Sequence, residues 1–465
     1  MKKSVLLFLF ISLQGWSQTE LQSSSMLTLD DFLGYVKQFH PLVKQANLEV
    51  SQAQSEIIAA RGGFDPKIEV DYEKKQFKST EYFDLLNSTF KIPTWYGIEV
   101  KAGFDQMEGV NLNPQNITPL DGLATVGIAI PVGQGLFINK RMADLRKAKL
   151  YNELSQAERD LEVTNILHQA CFTYFDWYRN YNEYQLYVTF LKNAQIRFDG
   201  IRNLIKEGDR PAIDSVEAGI LIQTRKLSLE QSRIKTVKSR LELSNYLWLE
   251  NTVPVELQDT IIPETAIEKN IESTLQTNGL LLADLDFANH PKIRALQNKI
   301  NILDVDRRLK GDMLKPRIDL NYNFLQESTA LDNFNTDNYK YGLSFSLPLF
   351  LRKERGNFQV AKFRVQDAEL DLQFENVALK NRIDYQIQEI SSLQEQISLT
   401  GNLVNSYQIL LNSEERLFIF GESSIFLINT RENSLLTSSI EQLEAQVRFC
   451  QSNADLFRLL ANSIN

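Results

Sequence analysis

The chain resembles itself. His40-Pro41 precedes a helical pattern and then Pro66-Lys67-Ile68-Glu69-Val70-Asp71-Tyr72, while His290-Pro291 precedes a similar pattern and then Pro316-Arg317-Ile318-Asp319-Leu320-Asn321-Tyr322, an ungapped offset of 250. Further on, Ala148-Lys149-Leu150 pairs with Ala361-Lys362-Phe363 and Gly208 with Gly421, both at an offset of 213. Two ungapped blocks argue for duplication, which requires both halves to adopt one plan. The offsets differ by 37 because the stretch from Pro66 to Ala148 is longer than its counterpart from Pro316 to Ala361.

Each half reads as helix, strands, long helix, sharp turn, helix. Proline is absent between Pro131 and Pro211 and again after Pro348, which permits long helices near 138–206 and 351–419, each on the order of 100 Å at 1.5 Å per residue. Shorter helices are expected near 212–250 and 424–463 after the turns, and near 30–61 and 283–311 before the strands. Ile390, Leu393, Ile397, Thr400, Val404, Tyr407 and Leu411 alternate steps of three and four, as coiled-coil seams do. Leu154, Ala157, Leu161, Thr164, His168, Cys171, Phe175 and Tyr178 form the matching stripe, so both helices are expected to pack through narrow seams.

The amino terminus carries Lys2 and Lys3, an apolar run from Val5 to Ile11, and small residues at Gly15 and Ser17, the pattern of a signal peptide cut near Ser17–Gln18. Loss of the two lysines takes the formal charge from −9 to −11, a balance that disfavours nucleic acid as a partner. Beyond the leader there is no run of eighteen apolar residues, so entry into a membrane requires a closed barrel. Cys171 and Cys450 are too few to make a disulfide scaffold.

The strands alternate. Ile68, Val70 and Tyr72 oppose Lys67, Glu69, Asp71 and Glu73, and Ile318, Leu320, Tyr322 and Phe324 oppose Arg317, Asp319, Asn321 and Asn323. Ile98, Val100, Ala102 and Phe104, then Val126, Ile128 and Ile130, then Tyr339, Tyr341, Leu343, Phe345 and Leu347 continue the pattern, with a weaker run near 82–92. Strands of about 10 residues, apolar outside and polar inside, suit an outer-membrane barrel. About four convincing strands per chain are too few to close one, so closure is expected from several copies in a symmetric homo-oligomer.

With signal peptide, duplicated halves, a β-hairpin between helices in each half, and a glycine turn between a long and a shorter helix, the chain resembles the TolC-like outer membrane factors over about residues 30–463. The tip pattern of that family is a glycine, a short spacer, an acid and an alanine. Gly208, Asp214 and Ala218 fit it in the first copy; the second keeps Gly421 but has Leu427 where the acid would stand.

The resemblance implies a mainly α fold with a membrane β-barrel, built from a duplicated helix–β-hairpin–long helix–helix unit. It divides the chain into a leader (1–17), a first repeat (18–265, strands about 66–131, tip near 208) and a second repeat (266–465, strands about 316–349, tip near 421). It further implies a homotrimer in the outer membrane of a Gram-negative bacterium, contacting outer-membrane lipid, with its helical part in the periplasm. There it would meet a periplasmic adaptor and an inner-membrane transporter, as the non-enzymatic channel of a tripartite efflux or type I secretion system. The competing reading is a periplasmic coiled-coil adaptor of such a system.

Gly208, Asp209, Arg210, Asp214, Phe420, Gly421, Glu422 and Phe426 are the candidates for gating or adaptor docking, with Phe418 joining Phe420 and Phe426 around Gly421 as a docking candidate; as turn residues, helix caps or packing they would serve structure alone. Asp209 suits the turn, and Ser423 or Ser424 suits a cap. No cofactor or metal is expected: His40, His168 and His290 are isolated, and the His-Pro pairs suit helix starts. His168 and Cys171 lie on the seam stripe, where packing explains them. Gly133-Gln134-Gly135 suits a strand-to-helix bend better than a phosphate loop.

Overall fold

A computed structural model describes residues 26–278, 287–330 and 335–461; the expected leader, 1–17, lies outside them. The helices are α1 (Leu29–Phe39), α2 (Pro41–Arg61), α3 (Lys140–Glu207), α4 (Ile213–Ser244), α5 (Ile271–Thr274), α6 (Pro291–Asp312), α7 (Arg352–Ile419) and α8 (Ile425–Leu460). Short strands β1 (Met26–Leu27) and β8 (Ile262–Pro263) pair in parallel, and β6 (Trp248–Leu249) pairs with β7 (Val253–Pro254). The remaining strands, β2 (Lys67–Phe77), β3 (Thr80–Pro93), β4 (Glu99–Glu108), β5 (Leu123–Pro131), β9 (Arg317–Glu327) and β10 (Tyr339–Ser346), form one antiparallel sheet in the order β10-β9-β5-β4-β3-β2.

The sheet has six strands, against the expectation of about four convincing ones and a weaker run. The weak run near 82–92 is β3, paired along both edges. Its pattern is blurred because Ser88 falls on the face otherwise taken by Leu86 and Phe90, while Leu85 falls on the polar face.

The helix expected over 30–61 is also corrected: the chain breaks at His40 into α1 and α2. Proline disfavours helical backbone in the residue before it, and His40 is extended at ψ 132°. The same break precedes Pro291, where His290 has ψ 131° and α6 begins; residues 283–286 of the helix expected from 283 lie outside the described residues. Both histidines cap the helices they precede. Nδ1 of His40 accepts from the Leu42 N–H at 3.3 Å, and Nδ1 of His290 from the Lys292 N–H at 3.2 Å. Nε2 of His290 pairs with the Leu459 carbonyl oxygen at 2.9 Å. Burial holds the His290 imidazole below its usual range, so the neutral ring accepts through one nitrogen and donates through the other.

The chain packs as two units. Of the described residues, those within 36–172, 271–398 and 448–461 form one, which contains the six-stranded sheet; those within 26–35, 173–270 and 399–447 form the other. Each draws on both halves of the sequence, and α3 and α7 contribute to both.

In the sheet-bearing unit, Ala157, Thr164 and Cys171 are buried along the expected stripe of α3. Val163, Ile166, Leu167 and Ala170 are buried too, so this stretch packs on more than a narrow seam. His168 pairs with Asp455 across 2.9 Å, and Nε2 of Gln386 donates to Ser452 Oγ at 2.6 Å. Cys171 and Cys450 are free and buried. Burial pushes the Cys171 thiol far up, which leaves it protonated and unreactive.

The other unit has its core around Phe32, Tyr174, Phe175 and Trp177, all at most 1% exposed. The Tyr174 hydroxyl donates to the Leu27 carbonyl at 2.7 Å and accepts from the Glu264 N–H at 3.0 Å, which ties the segments around β1 and β8 to α3. Its ring lies 5.5 Å from Trp177, edge-on, an arrangement that aromatic quadrupoles favour.

Candidate functional site

Register decides what the six-stranded sheet presents. Because Ile68 faces Phe90, Phe90 faces Ala102, Ala102 faces Val126, Val126 faces Phe324 and Phe324 faces Tyr339, one apolar face runs without interruption from β2 to β10. A second row, through Ile92, Val100, Ile128, Tyr322 and Tyr341, lies on that same face. The opposite face carries Glu69, Lys91, Lys101, Gly127, Asn323 and Lys340.

Among the described residues nothing covers the apolar face: Ile68 is 74% exposed, Leu343 60% and Phe345 66%. A continuous exposed apolar patch of this kind marks a surface meant for lipid or protein. On the polar face charges are paired: Lys91 with Glu69, and Glu99 with Arg141 at 2.9 Å and with Lys101 at 3.7 Å.

At the helix end of the sheet, a cavity of about 690 Å³ is lined by Glu99, Lys101, Arg141, Asp312, Arg317 and Asp319 among others. Asp312 is buried there and accepts from the Gly135 N–H and from Lys315 Nζ, both at 2.6 Å. The Gly133-Gln134-Gly135 stretch bends from β5 toward α3 as expected. The Cβ of any residue at 133 would meet the Pro316 carbonyl oxygen at 2.2 Å, which explains glycine there.

The two tip turns are built alike. The Gly208 N–H donates to the Ile205 carbonyl and the Asp209 N–H to that of Leu204; the Gly421 N–H donates to Phe418 and the Glu422 N–H to Leu417. This is the Schellman closure of a helix, which needs a left-handed residue just past the end. Gly208 has φ +86° and Gly421 φ +78°. Most residues with a Cβ would cost about 1–2 kcal/mol there.

Arg210 and the second tip meet. Nη2 of Arg210 donates to the Phe418 carbonyl oxygen at 3.0 Å, and the guanidinium lies 4.2 Å over the Phe418 ring. Ser424 Oγ accepts from the Leu427 N–H at 3.3 Å and caps α8, while Ser423 Oγ donates to Glu414 instead. Asp209 and Glu422 are exposed, Asp214 stands half-buried in the first turn of α4, and Phe420 and Phe426 are exposed, as are Ile419 beside Phe420 in sequence and Ile213 at the first tip.

Sequence reasoning missed a charged cluster buried between the helices behind these turns. Glu432 of α8 is fully buried and pairs with Arg197 of α3 and, at 3.8 Å, with Arg225 of α4. Arg197 also reaches Glu415 at 3.0 Å, and Arg225 donates to Asn433 Oδ1 at 2.6 Å. Burial pulls the Arg225 guanidinium below its usual value, against the pull of Glu432. Each member looks like an ordinary surface charge in the sequence, and only packing brings them together.

Residues 282–462 match the family described as outer membrane efflux protein. No curated protein matches the sequence. Among solved structures the fold is similar to VceC of Vibrio cholerae (14% identity, 94% of this chain and 97% of that one, TM-score 0.65). It is also similar to the open-state MtrE channel of Neisseria gonorrhoeae (14%, 93% and 88%, 0.64) and to CmeC of Campylobacter jejuni (12%, 93% and 85%, 0.63). The resemblance read from the sequence is borne out: the fold, long helices joined to a sheet, is that of outer-membrane channels of the TolC type.

Proposed function

Because residues 282–462 match the outer membrane efflux protein family, we propose that this chain is the outer-membrane channel of a tripartite efflux or type I secretion system in a Gram-negative cell. The observation that carries the reading is the open six-stranded sheet with one exposed apolar face, one polar face and two outer edges, β2 and β10, that no strand among the described residues pairs. In a bilayer, unpaired backbone groups cost several kcal/mol each, so the edges must pair and the sheet must close. Three copies, each giving one sector, close it with the apolar face toward lipid and the polar face toward a water-filled lumen.

The helices support association as well. Ile213, Ile220, Leu227, Ile234 and Leu241 recur every seventh residue along α4 and all are exposed, a heptad stripe ready for a neighbouring helix. Within the same reading, residues 18–265 and 266–465 are two copies of one structural unit, and the tips around Gly208 and Gly421 are the periplasmic end. There the channel opens and an adaptor, linked to an inner-membrane transporter, attaches. The transporter supplies the energy and the channel conducts.

Detergent extraction of the mature protein from the outer-membrane fraction, with its mass measured by light scattering, tests this. A particle of three protomers is expected. A water-soluble monomer would overturn the channel and favour a periplasmic adaptor.

A further inference from the structure

The first half of the chain is longer than the second by 37 residues between Pro66 and Ala148, and the sheet shows where they go. β2 and β9 match end for end at an offset of 250, and β5 and β10 nearly match at 213. What the first half has in excess is therefore β3 and β4 with the turn between them. That turn is tight: Thr94 donates to the Ile98 carbonyl through both its N–H, at 2.9 Å, and its hydroxyl, at 2.7 Å.

We propose that this added hairpin is part of the membrane wall, so that each copy supplies six strands and a three-copy barrel has 18, closed by pairing β2 of one copy with β10 of the next. The proposal rests on the channel reading above.

Three observations carry it. First, the hairpin lies inside the sheet, between β2 and β5, and cannot be removed without breaking the ladder that joins them. Second, its faces obey the wall. Leu86, Phe90 and Ile92 of β3 and Val100, Ala102 and Phe104 of β4 continue the apolar face of β2 and β5, and Asn87, Thr89, Lys91, Glu99, Lys101 and Asp105 continue the polar one. A hairpin folded outside the bilayer would have no need of that phase. Third, strand direction alternates across all six strands, so β2 and β10 run oppositely, and the β2 of one copy is antiparallel to the β10 of its neighbour. Both edges carry exposed apolar residues, Ile68, Val70 and Tyr72 on one and Tyr341, Leu343 and Phe345 on the other, which makes a second copy of this chain the occupant that fits.

The consequence is width. With strands about 4.8 Å apart and tilted about 40°, an 18-stranded barrel has a backbone diameter of about 36 Å, against about 24 Å for the 12 strands that the two halves share. The outer-membrane section would then admit solutes much larger than the shared strands alone would allow.

Single cysteines placed in turn at residues 86 to 90 of the otherwise intact protein, spin-labelled in lipid vesicles, test the wall directly. Labels at Leu86→Cys, Ser88→Cys and Phe90→Cys are expected to collide with oxygen dissolved in lipid, and those at Asn87→Cys and Thr89→Cys with a water-soluble nickel chelate. Uniform access to the chelate would overturn the proposal. The seam is tested separately by oxidising Val70→Cys in combination with Tyr341→Cys, Leu343→Cys or Phe345→Cys. A covalent ladder ending at three copies is expected from at least one pair. A three-copy ladder without alternation along β3 would sink the 18-strand wall and leave the channel standing; neither ladder nor alternation would sink both.

Discussion

Arg210 lies with its guanidinium 4.2 Å over the ring of Phe418 and donates to the carbonyl oxygen of that same residue at 3.0 Å. One side chain thus joins the first tip turn to the last turn of α7, where a cation also offsets the negative end of the helix dipole. Arg210→Ala is expected to loosen this link by about 1–2 kcal/mol. Amide exchange at residues 416–424 should accelerate, with Arg210→Lys intermediate. Unchanged protection in the alanine variant would show that the contact holds nothing.

Glu432 lies between Arg197 and Arg225 out of contact with water. Glu432→Ala leaves two guanidinium groups facing each other's charge, and removal of one partner from such a cluster costs about 3–5 kcal/mol. Exposed Glu422 is the control, expected to cost about 0.5 kcal/mol or less on change to alanine. Thermal unfolding of the detergent-extracted protein should separate the two clearly; equal melting temperatures would refute a structural role for the cluster.

Asp209 and Asp214 place two carboxylates in and just after the first tip turn. If that end is a constriction, Asp209→Ala combined with Asp214→Ala should lower cation preference in planar bilayers. Ion selectivity identical to the parent protein would remove acidic gating from this tip.

The second tip has no acid in the position of Asp214. Leu427 stands there, and Phe426 beside it and Phe420 just before Gly421 are exposed. Phe420→Ser with Phe426→Ser should therefore impair recruitment of an apolar partner and leave ion selectivity alone, readable as loss of export with an intact channel. Full export by this variant would argue that the aromatic pair is not a docking surface.

His290 caps α6 through an unprotonated Nδ1, and burial lowers its pKa from the ordinary value. The unfolded chain binds the proton more readily, so the contribution of this residue to stability is complete above about pH 6.5 and is lost as pH falls through the lower folded value. Amide exchange in the first turn of α6 should rise on acidification. In His290→Asn, which keeps a capping acceptor, that pH response should shrink. A response that survives the substitution would have to come from another group.

Much of this protein can be read from its sequence because its signals are periodic. Long proline-free stretches with steps of three and four specify α3 and α7; alternation at Lys67–Tyr72 and Tyr339–Leu347 specifies strands and their faces; glycine before a new helical run specifies both tips, since only glycine takes the left-handed turn without strain. The His-Pro pairs even mark where α2 and α6 start, because proline constrains its predecessor locally. What escaped was whatever depends on neighbours distant in the chain. β3 has too weak an alternation to declare itself, and only pairing with β2 and β4 makes it a strand and the sheet six strands wide. The Arg197–Glu432–Arg225 cluster and the Arg210–Phe418 contact involve residues more than 200 positions apart on at least one side. No local pattern can encode such meetings, because the free energy that selects them exists only once the helices have packed.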